Sequence, residues 1–260
     1  MEEVILQHFR PDEEETVKKL ARYIAKAEDE YRPILTHFLN PRERRIAEFL
    51  IKKNSGIKIS AYGGNENAER KRVLFFPEYY EVNDGDFKLA LLNLKYPVKF
   101  SKLSHGSILG TLANSGVDRE VLGDIINHEN EWQVICEQEI KQFFISQIEK
   151  IGKTKVEFQE TKFNNLLKPN VEMMDKELPV SSLRLDNLIS SIYNISRGNT
   201  KNLIKAKKVQ LNWMICEKPD WDVKIDDVIS IRGYGRFELD EILNVTKKGK
   251  TRIKVKVLKK

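Results

Sequence analysis

Cysteine is nearly absent from this chain. Cys136 and Cys216 stand far apart in 260 residues, and no others occur. Neither a disulfide framework nor a zinc-ligand spacing can be built from that pair, so a reducing cytosol is the expected compartment. Histidine is almost as sparse. His8, His37, His105 and His128 have no i,i+4 partner and no clustered carboxylates, so no metal site is expected. The longest apolar runs fall well short of a bilayer span, and no membrane association is expected. The first residues, MEEVILQHFRPDEEE, are acidic where a secretory signal would be basic and then apolar. Internal repeats and low-complexity tracts are missing. No glycine-rich loop follows a strand in the pattern that cofactor binding requires, so no cofactor is expected.

What is present is a soluble, globular composition, 40% hydrophobic and 32% charged. The length suits two or three domains. Net charge is +6, unevenly spread. Residues 178–260 hold 18 Lys and Arg against 9 Asp and Glu, and the remainder is slightly acidic. A basic C-terminal third points to a polyanion partner.

Periodicity divides the chain further and predicts an α+β protein. Residues 1–85 read as an N-terminal region of helices and a hairpin. Val17, Leu20, Ile24 and Ala27 mark a helix over 12–30, and Ile46, Ala47, Leu50 and Ile51 mark one from Pro41 to Lys53, stopped by Asn54-Ser55-Gly56. IKISAY and RVLFFPEYY flank a polar turn as a hairpin. Residues 86–165 read as β-α-β-β-α-β, a ferredoxin-like domain with a four-stranded antiparallel sheet, its second helix spanning Gln138 to Ile151. The aromatic-rich strand with which some RNA-recognition modules of this topology stack bases is missing, so a structural or protein-contacting role stays open beside an RNA one. Residues 166–180 read as a linker or connecting strand. Residues 181–260 read as a small α/β RNA-binding domain of two helices, near 183–194 and 200–207, plus antiparallel strands. Lys247-Lys248-Gly249-Lys250 makes the last hairpin turn.

The stretch from Arg184 to Trp213, RLDNLISSIYNISRGNTKNLIKAKKVQLNW, carries the candidate site. Arg197, Lys201, Lys205 and Lys208 recur at steps of four, four and three, and on a helix they share a face. Ser196 and Asn199 are the candidate caps, and Arg197-Gly198 the turn before the helix. A helix start offers unpaired N–H groups to a phosphate, and Arg197 adds a donor fork there. Arg184 begins the preceding helix, and Arg232 and Arg236 surround the glycines of RGYGR. These cations are expected to wall a three-sided phosphate groove. Trp213, Trp221 and Tyr234 are candidates for base stacking, with a place in the core the equal alternative for the two tryptophans.

The same residues resemble a known pattern. Arg184-Leu185-Asp186, Ser196-Arg197, Val209-Gln210-Leu211-Asn212 and Asp227-Val228-Ile229-Ser230-Ile231-Arg232-Gly233 look like the small RNA-binding domain first seen in a ribosomal small-subunit protein. Pseudouridine synthases, tyrosyl-tRNA synthetases and a heat-shock ribosome-binding protein share it. RNA contacts carried over by that resemblance fall on Arg184, Ser196, Arg197, Lys201, Lys205 and Arg232. Lys208 and Asp226 stand where the pattern has glycine, which implies altered turns. Together with LSHGSILGTLANSGVDREVLGDIINHENEWQVICEQEI and IEKIGKTKVEF, the chain resembles the bacterial YlmH family over nearly its whole length. The resemblance implies ribosome-associated quality control in the cytoplasm. The implied partners are ribosomal RNA of the large subunit, tRNA or peptidyl-tRNA, and protein quality-control factors, with no DNA expected. The expectation is a non-enzymatic protein with no catalytic residue. The alternatives are an accessory RNA-modification enzyme or a scaffold linked to cell division, the latter because the family's locus lies beside cell-division genes.

Other candidates are weaker. Gly106-Ser107-Ile108-Leu109-Gly110 fits G-x-S-x-G, but a packing helix suits its context better than a hydrolase elbow. Gly123-Asp124 reads as a strand entry with a positioned carboxylate. Arg42, Arg44, Arg45, Lys52 and Lys53 form a basic patch that Glu43 and Glu48 can neutralise at helical spacing.

Overall fold

Apolar side chains at Val17, Leu20, Ile24 and Ala27 bury one stripe of helix α1, Glu14–Asp29, as their helical spacing requires. Strand β1, Ile34–Leu39, follows. Helix α2, Pro41–Ile51, opens with Pro41 in its first turn. A capping box starts it: Asn40 Oδ1 accepts the Glu43 N–H at 3.0 Å, and the Glu43 carboxylate accepts the Asn40 N–H at 2.7 Å. Strands β2, Ile57–Tyr62, and β3, Lys71–Pro77, form the expected hairpin. The sheet runs β1-β3-β2 and is antiparallel throughout. This computed structural model describes residues 9, 11–52, 56–168, 173–246 and 249–259. The expected helix stop at Asn54-Ser55, the basic residue Lys53, the first histidine His8 and the turn at Lys247-Lys248 lie outside the described residues.

The middle region has the expected topology. Its strands are β4 (Leu89–Lys95), β5 (Leu122–His128), β6 (Glu131–Glu137) and β9 (Glu157–Thr161). They lie in the order β5-β6-β4-β9 with every pair antiparallel. Helices α3, His105–Ala113, and α4, Lys141–Gln147, complete it. Helix α4 is half the length its sequence pattern predicts. The apolar residues beyond it belong to a small hairpin, β7 (Lys150–Ile151) and β8 (Thr154–Lys155), turning at Gly152 with φ +60°. An apolar position can serve a helix or a short strand equally well, so periodicity alone extended the helix.

The chain divides into two compact units, Met1–Asn170 and Val171–Lys260. Residues 1–85 and 86–165 pack against one another within the first unit. Phe38 of β1 is fully buried with Leu91, Ile126 and Ile135 of the middle sheet. Arg70 joins the same layers, donating through Nε to the Leu122 carbonyl at 3.0 Å and through a terminal nitrogen to the Phe38 carbonyl at 2.8 Å. Gly123 sits against the Phe38 ring, so close that a β-carbon would lie 2.7 Å from it. The Asp124 carboxylate is positioned as expected, accepting the N–H groups of Glu69 and Arg70 at 2.7 and 3.0 Å.

A pH-sensitive pair sits at this joint. His37 Nδ1 lies 2.8 Å from Glu137 Oε1. That hydrogen bond raises the imidazole above its ordinary value of 6.5, against partial burial and the nearby Arg72 guanidinium. Glu120 adds a smaller attraction. A raised folded value means that the contribution to stability is complete below about pH 6.5 and fades as pH rises through the folded value. Urea midpoints measured from pH 6 to 9 are expected to decline over that window, and His37→Gln is expected to flatten the decline.

The second unit holds β10 (Met174–Val180), helices α5 (Leu185–Tyr193) and α6 (Arg197–Lys205), and strands β11 (Val209–Leu211), β12 (Met214–Ile215), β13 (Val228–Ile231), β14 (Gly235–Val245) and β15 (Thr251–Lys259). Its sheet order is β10-β15-β14-β13-β11-β12. Much of the stretch expected as a linker over 166–180 is thus an edge strand of this sheet. Only Leu178 and Val180 of β10 are buried, which left too little alternation to reveal it, and Pro179 is tolerated because an edge strand needs fewer ladder donors. Leu185, Leu188, Ile189, Ile192 and Ile204 of the two helices pack on Ile229, Ile231, Phe237 and Val255 of the sheet.

Candidate nucleic-acid interface

The site is built on the turn between α5 and α6. Asn194 closes α5 in the left-handed conformation, φ +54° and ψ +46°, a position that asparagine tolerates better than most residues. Ser190 Oγ donates to the Ile195 carbonyl at 2.7 Å and braces the turn. Ser196 then caps α6, its Oγ accepting the Asn199 N–H at 3.2 Å. Helix α6 therefore begins three residues before the expected start. Arg197 and Gly198 are its first turn, and Asn199 is inside it.

Arg197 is held from below. A terminal nitrogen donates to Asn187 Oδ1 at 2.7 Å and to Ser181 Oγ at 3.2 Å. Asn187 is itself buried and fixed, donating to the Ser182 carbonyl at 2.7 Å. Sequence alone missed Asn187, because a contact ten residues away across a turn leaves no periodic signal. The tether aims the guanidinium while leaving it exposed. Lys201 and Lys205 continue the exposed face of α6. Past the helix, Lys208 and Arg232 are joined through the backbone, with the Arg232 N–H donating to the Lys208 carbonyl at 2.9 Å.

Five cations of this site share one feature. Arg197, Lys201, Lys205, Lys208 and Arg232 have no carboxylate partner among the described residues. Several cations elsewhere in this unit are paired: Lys207 with Glu217 at 3.2 Å, Lys256 with Asp240 at 2.6 Å, Lys254 with Asp175 at 3.1 Å and Arg252 with Glu177 at 3.9 Å. Arg184 is paired too. It forks onto the buried carboxylate of Asp186 at 3.2 and 3.3 Å, so the Arg-Leu-Asp segment fixes the start of α5 as well as presenting a cation.

Arg236 does not join the groove expected for it. It lies on β14 opposite Ser230, donating to that hydroxyl at 3.1 Å, and sits over the Trp213 ring at 5.7 Å. Its neighbour Phe237 enters the core with Ile229 and Ile231. Strand alternation therefore sends Arg236 to the sheet face away from α5 and α6, whereas Arg232 is in the hairpin loop before Gly233, φ +93°. The candidate stacking residues are likewise engaged. Trp221 packs on the core under Lys218, and Tyr234 meets Tyr193 edge-on at 5.8 Å. Burial pushes the Tyr193 hydroxyl up to about 12.

Two residues stand where the pattern that the sequence resembles has glycine. Asp226 adopts φ +68°, a left-handed conformation that explains the preference. Lys208 does not. The left-handed residue is Lys207, φ +57°, one position earlier. Asn212 and Asp227, both matched to that pattern, meet at 2.8 Å. Asn212 Oδ1 also accepts the Val228 N–H at 3.0 Å, so this pair anchors the β11–β13 crossing rather than facing solvent.

The weaker candidates are absorbed by structure. Ser107 forms a capping box with Ser104 at the start of α3. Arg42 pairs with Glu13 at 2.6 Å, and Arg44 donates to the Glu69 carbonyl. Burial pushes the Cys136 thiol up to about 12 and keeps it protonated. Among the described residues, no three His, Cys, Asp or Glu side chains gather as a metal site, and no helix is long and apolar enough to cross a membrane.

Fold and site together define a class: an α+β protein bearing an exposed helix face of cations without carboxylate partners, of the kind that meets polyanions. Comparison with known proteins narrows it. A family model described as "YlmH, N-terminal" matches residues 12–80, and one described as "Putative RNA-binding domain in YlmH" matches residues 83–165. Over 249 residues, 96% of each chain, the sequence is 35% identical to ribosome-associated protein quality control protein P2 of Bacillus subtilis (strain 168). The chain belongs to the YlmH family. The solved structure of cell division protein ylmH from Streptococcus pneumoniae is 33% identical, with a TM-score of 0.55, and the match covers 62% of this chain and 98% of that one.

Proposed function

We propose that this protein is a non-enzymatic RNA-binding factor that associates with the large ribosomal subunit and with tRNA or peptidyl-tRNA, in cytoplasmic quality control of stalled translation. The observation that carries this reading is the row of exposed cations without carboxylate partners among the described residues on α6 and the adjoining Lys208–Arg232 junction. Exposed cations without intramolecular carboxylates retain their full charge for an incoming phosphate. The tethered Arg197 fork adds geometric selectivity that lysine cannot supply. The name of the Bacillus subtilis relative and the RNA-binding description of a family domain support the same reading.

Ultraviolet crosslinking in cells, followed by sequencing of the bound RNA, tests it. Reads concentrated on large-subunit ribosomal RNA and tRNA are expected. Reads spread over messenger RNA, or none above background, would contradict the proposal. The Streptococcus pneumoniae relative is named for cell division, which makes a division scaffold the second reading. Co-purification with division proteins after nuclease treatment would favour it.

A further inference from the structure

Ferredoxin-like modules that stack bases do so on the open face of the sheet. Here that face is sealed. Phe38 and Phe163, with Leu166 and Leu167, pack on Leu91, Ile126 and Ile135. Gln133 on the same face is tied to Asn93 and to the Asn165 carbonyl at 2.8 and 2.9 Å. RNA bound by this region must therefore use another surface.

The loop from β4 to α3 supplies one. Its sequence, KYPVKFSK, interleaves Lys95, Lys99 and Lys102 with aromatic residues. Phe100 is 88% exposed, the most exposed large apolar side chain among the described residues. The loop is braced rather than loose. The Phe100 and Ser101 N–H groups both donate to the Pro97 carbonyl, at 3.0 and 3.1 Å, and Tyr96 Oη donates to the Asn130 carbonyl at 2.9 Å. Residues 95–117 contain no Asp or Glu, and none of the three lysines has a carboxylate partner among the described residues. Beyond the loop, an open groove of about 830 Å³ runs between α3 and the β7–β8 hairpin, lined by Gly106, Ser107, Gly110, Thr111 and Lys150. Lys153 and Lys155 extend the hairpin's charge.

We propose that the β4–α3 loop and the adjoining α3 groove form a second RNA contact, in which Phe100 stacks on an unpaired base while Lys95, Lys99 and Lys102 meet the flanking phosphates. The inference rests on the RNA-binding function proposed above. A lone exposed ring in a loop segment that carries three lysines suits a splayed nucleotide better than a protein surface, which needs a wider apolar patch.

The test uses the full chain and a fluorescein-labelled, mixed-sequence single-stranded RNA of roughly 15 nucleotides. Ultraviolet crosslinking with mass spectrometry is expected to find a nucleotide adduct on the peptide containing Phe100. Phe100→Ala is expected to weaken binding about tenfold, and Phe100→Tyr to restore it, because stacking needs only the ring. Replacing the three lysines with alanine is expected to lower the salt slope by about 2. Adducts confined to residues 171–260, with unchanged affinity in these variants, would overturn the inference and leave the parent reading intact. No RNA binding by the wild type would overturn both. Loss of retention on immobilised polyglutamate with unchanged RNA affinity would reassign the face to an acidic protein and overturn the inference.

Discussion

Replacing Arg197, Lys201 and Lys205 together with alanine is expected to release the protein from large ribosomal subunits, with affinity falling on the order of a hundredfold at physiological salt. The reason is the missing carboxylates. A cation already paired within the chain must break that pair to meet a phosphate, and its net gain is small. These three lack such partners among the described residues, so each releases counterions from the RNA without a competing loss. The slope of log affinity against log salt should therefore shrink by about 2 to 3, at 0.7 to 0.9 for each contact removed. The control replaces Arg252, Lys254 and Lys256 together with alanine, which removes the same three charges from residues already facing Glu177, Asp175 and Asp240 at 3.9, 3.1 and 2.6 Å. It should leave both affinity and slope nearly unchanged. Asn187→Ala separates charge from aim. It keeps every cation but removes the acceptor that holds Arg197, so affinity should fall while the salt slope stays near the wild-type value. Equal losses for the two triple variants would mean that net charge alone governs binding and that the α6 face has no special role. Sucrose-gradient co-sedimentation at several salt concentrations reads all of these.

Much of this site was legible in the chain, for a physical reason. Helix spacing is local, so residues at steps of four declare a shared face without any knowledge of the tertiary fold. The helix that carries Arg197, Lys201 and Lys205 was legible in this way. The cap was ambiguous between Ser196 and Asn199 because either side chain can accept an N–H, and only the backbone path decides. Arg236 was misplaced because RGYGR looks like one loop, whereas strand pairing begins again at Gly235 and alternation then turns Arg236 away. The α+β class and the β-α-β-β-α-β order were visible from period changes. Strand β1, ILTHFL, was not, being six residues with a buried pair at its end instead of clean alternation. The joining of the first two regions into one unit was invisible as well. It depends on Phe38, Arg70 and Arg72 meeting residues fifteen to about a hundred positions away, and no local pattern encodes such pairs.

That joint carries the largest expected effect on stability. Arg72 is buried within the first unit, its side chain 7% exposed, beside Glu137 at 3.6 Å and equally buried. Its Nε donates to the Thr36 carbonyl at 2.8 Å, and a terminal nitrogen reaches the Phe87 carbonyl at 3.2 Å. One guanidinium thus ties β1, the segment entering β4, and the end of β6. Arg72→Met fills similar volume but strands the Glu137 carboxylate and two carbonyls in a water-poor joint. Removing one partner of a buried pair costs about 3–5 kcal/mol, a large share of the stability of an ordinary domain. Arg72→Met with Glu137→Gln removes the uncompensated charge and should recover part of that loss. His37 will soften the single variant only below the pH at which it deprotonates, since a protonated imidazole 2.8 Å from Glu137 still offers a counter-charge. Urea unfolding in a Trp213→Phe, Trp221→Phe background, where Trp132 alone reports the first unit, measures the loss directly. A cost below about 1 kcal/mol would show that water reaches the pair and that the two regions are held by Phe38 and its apolar neighbours instead.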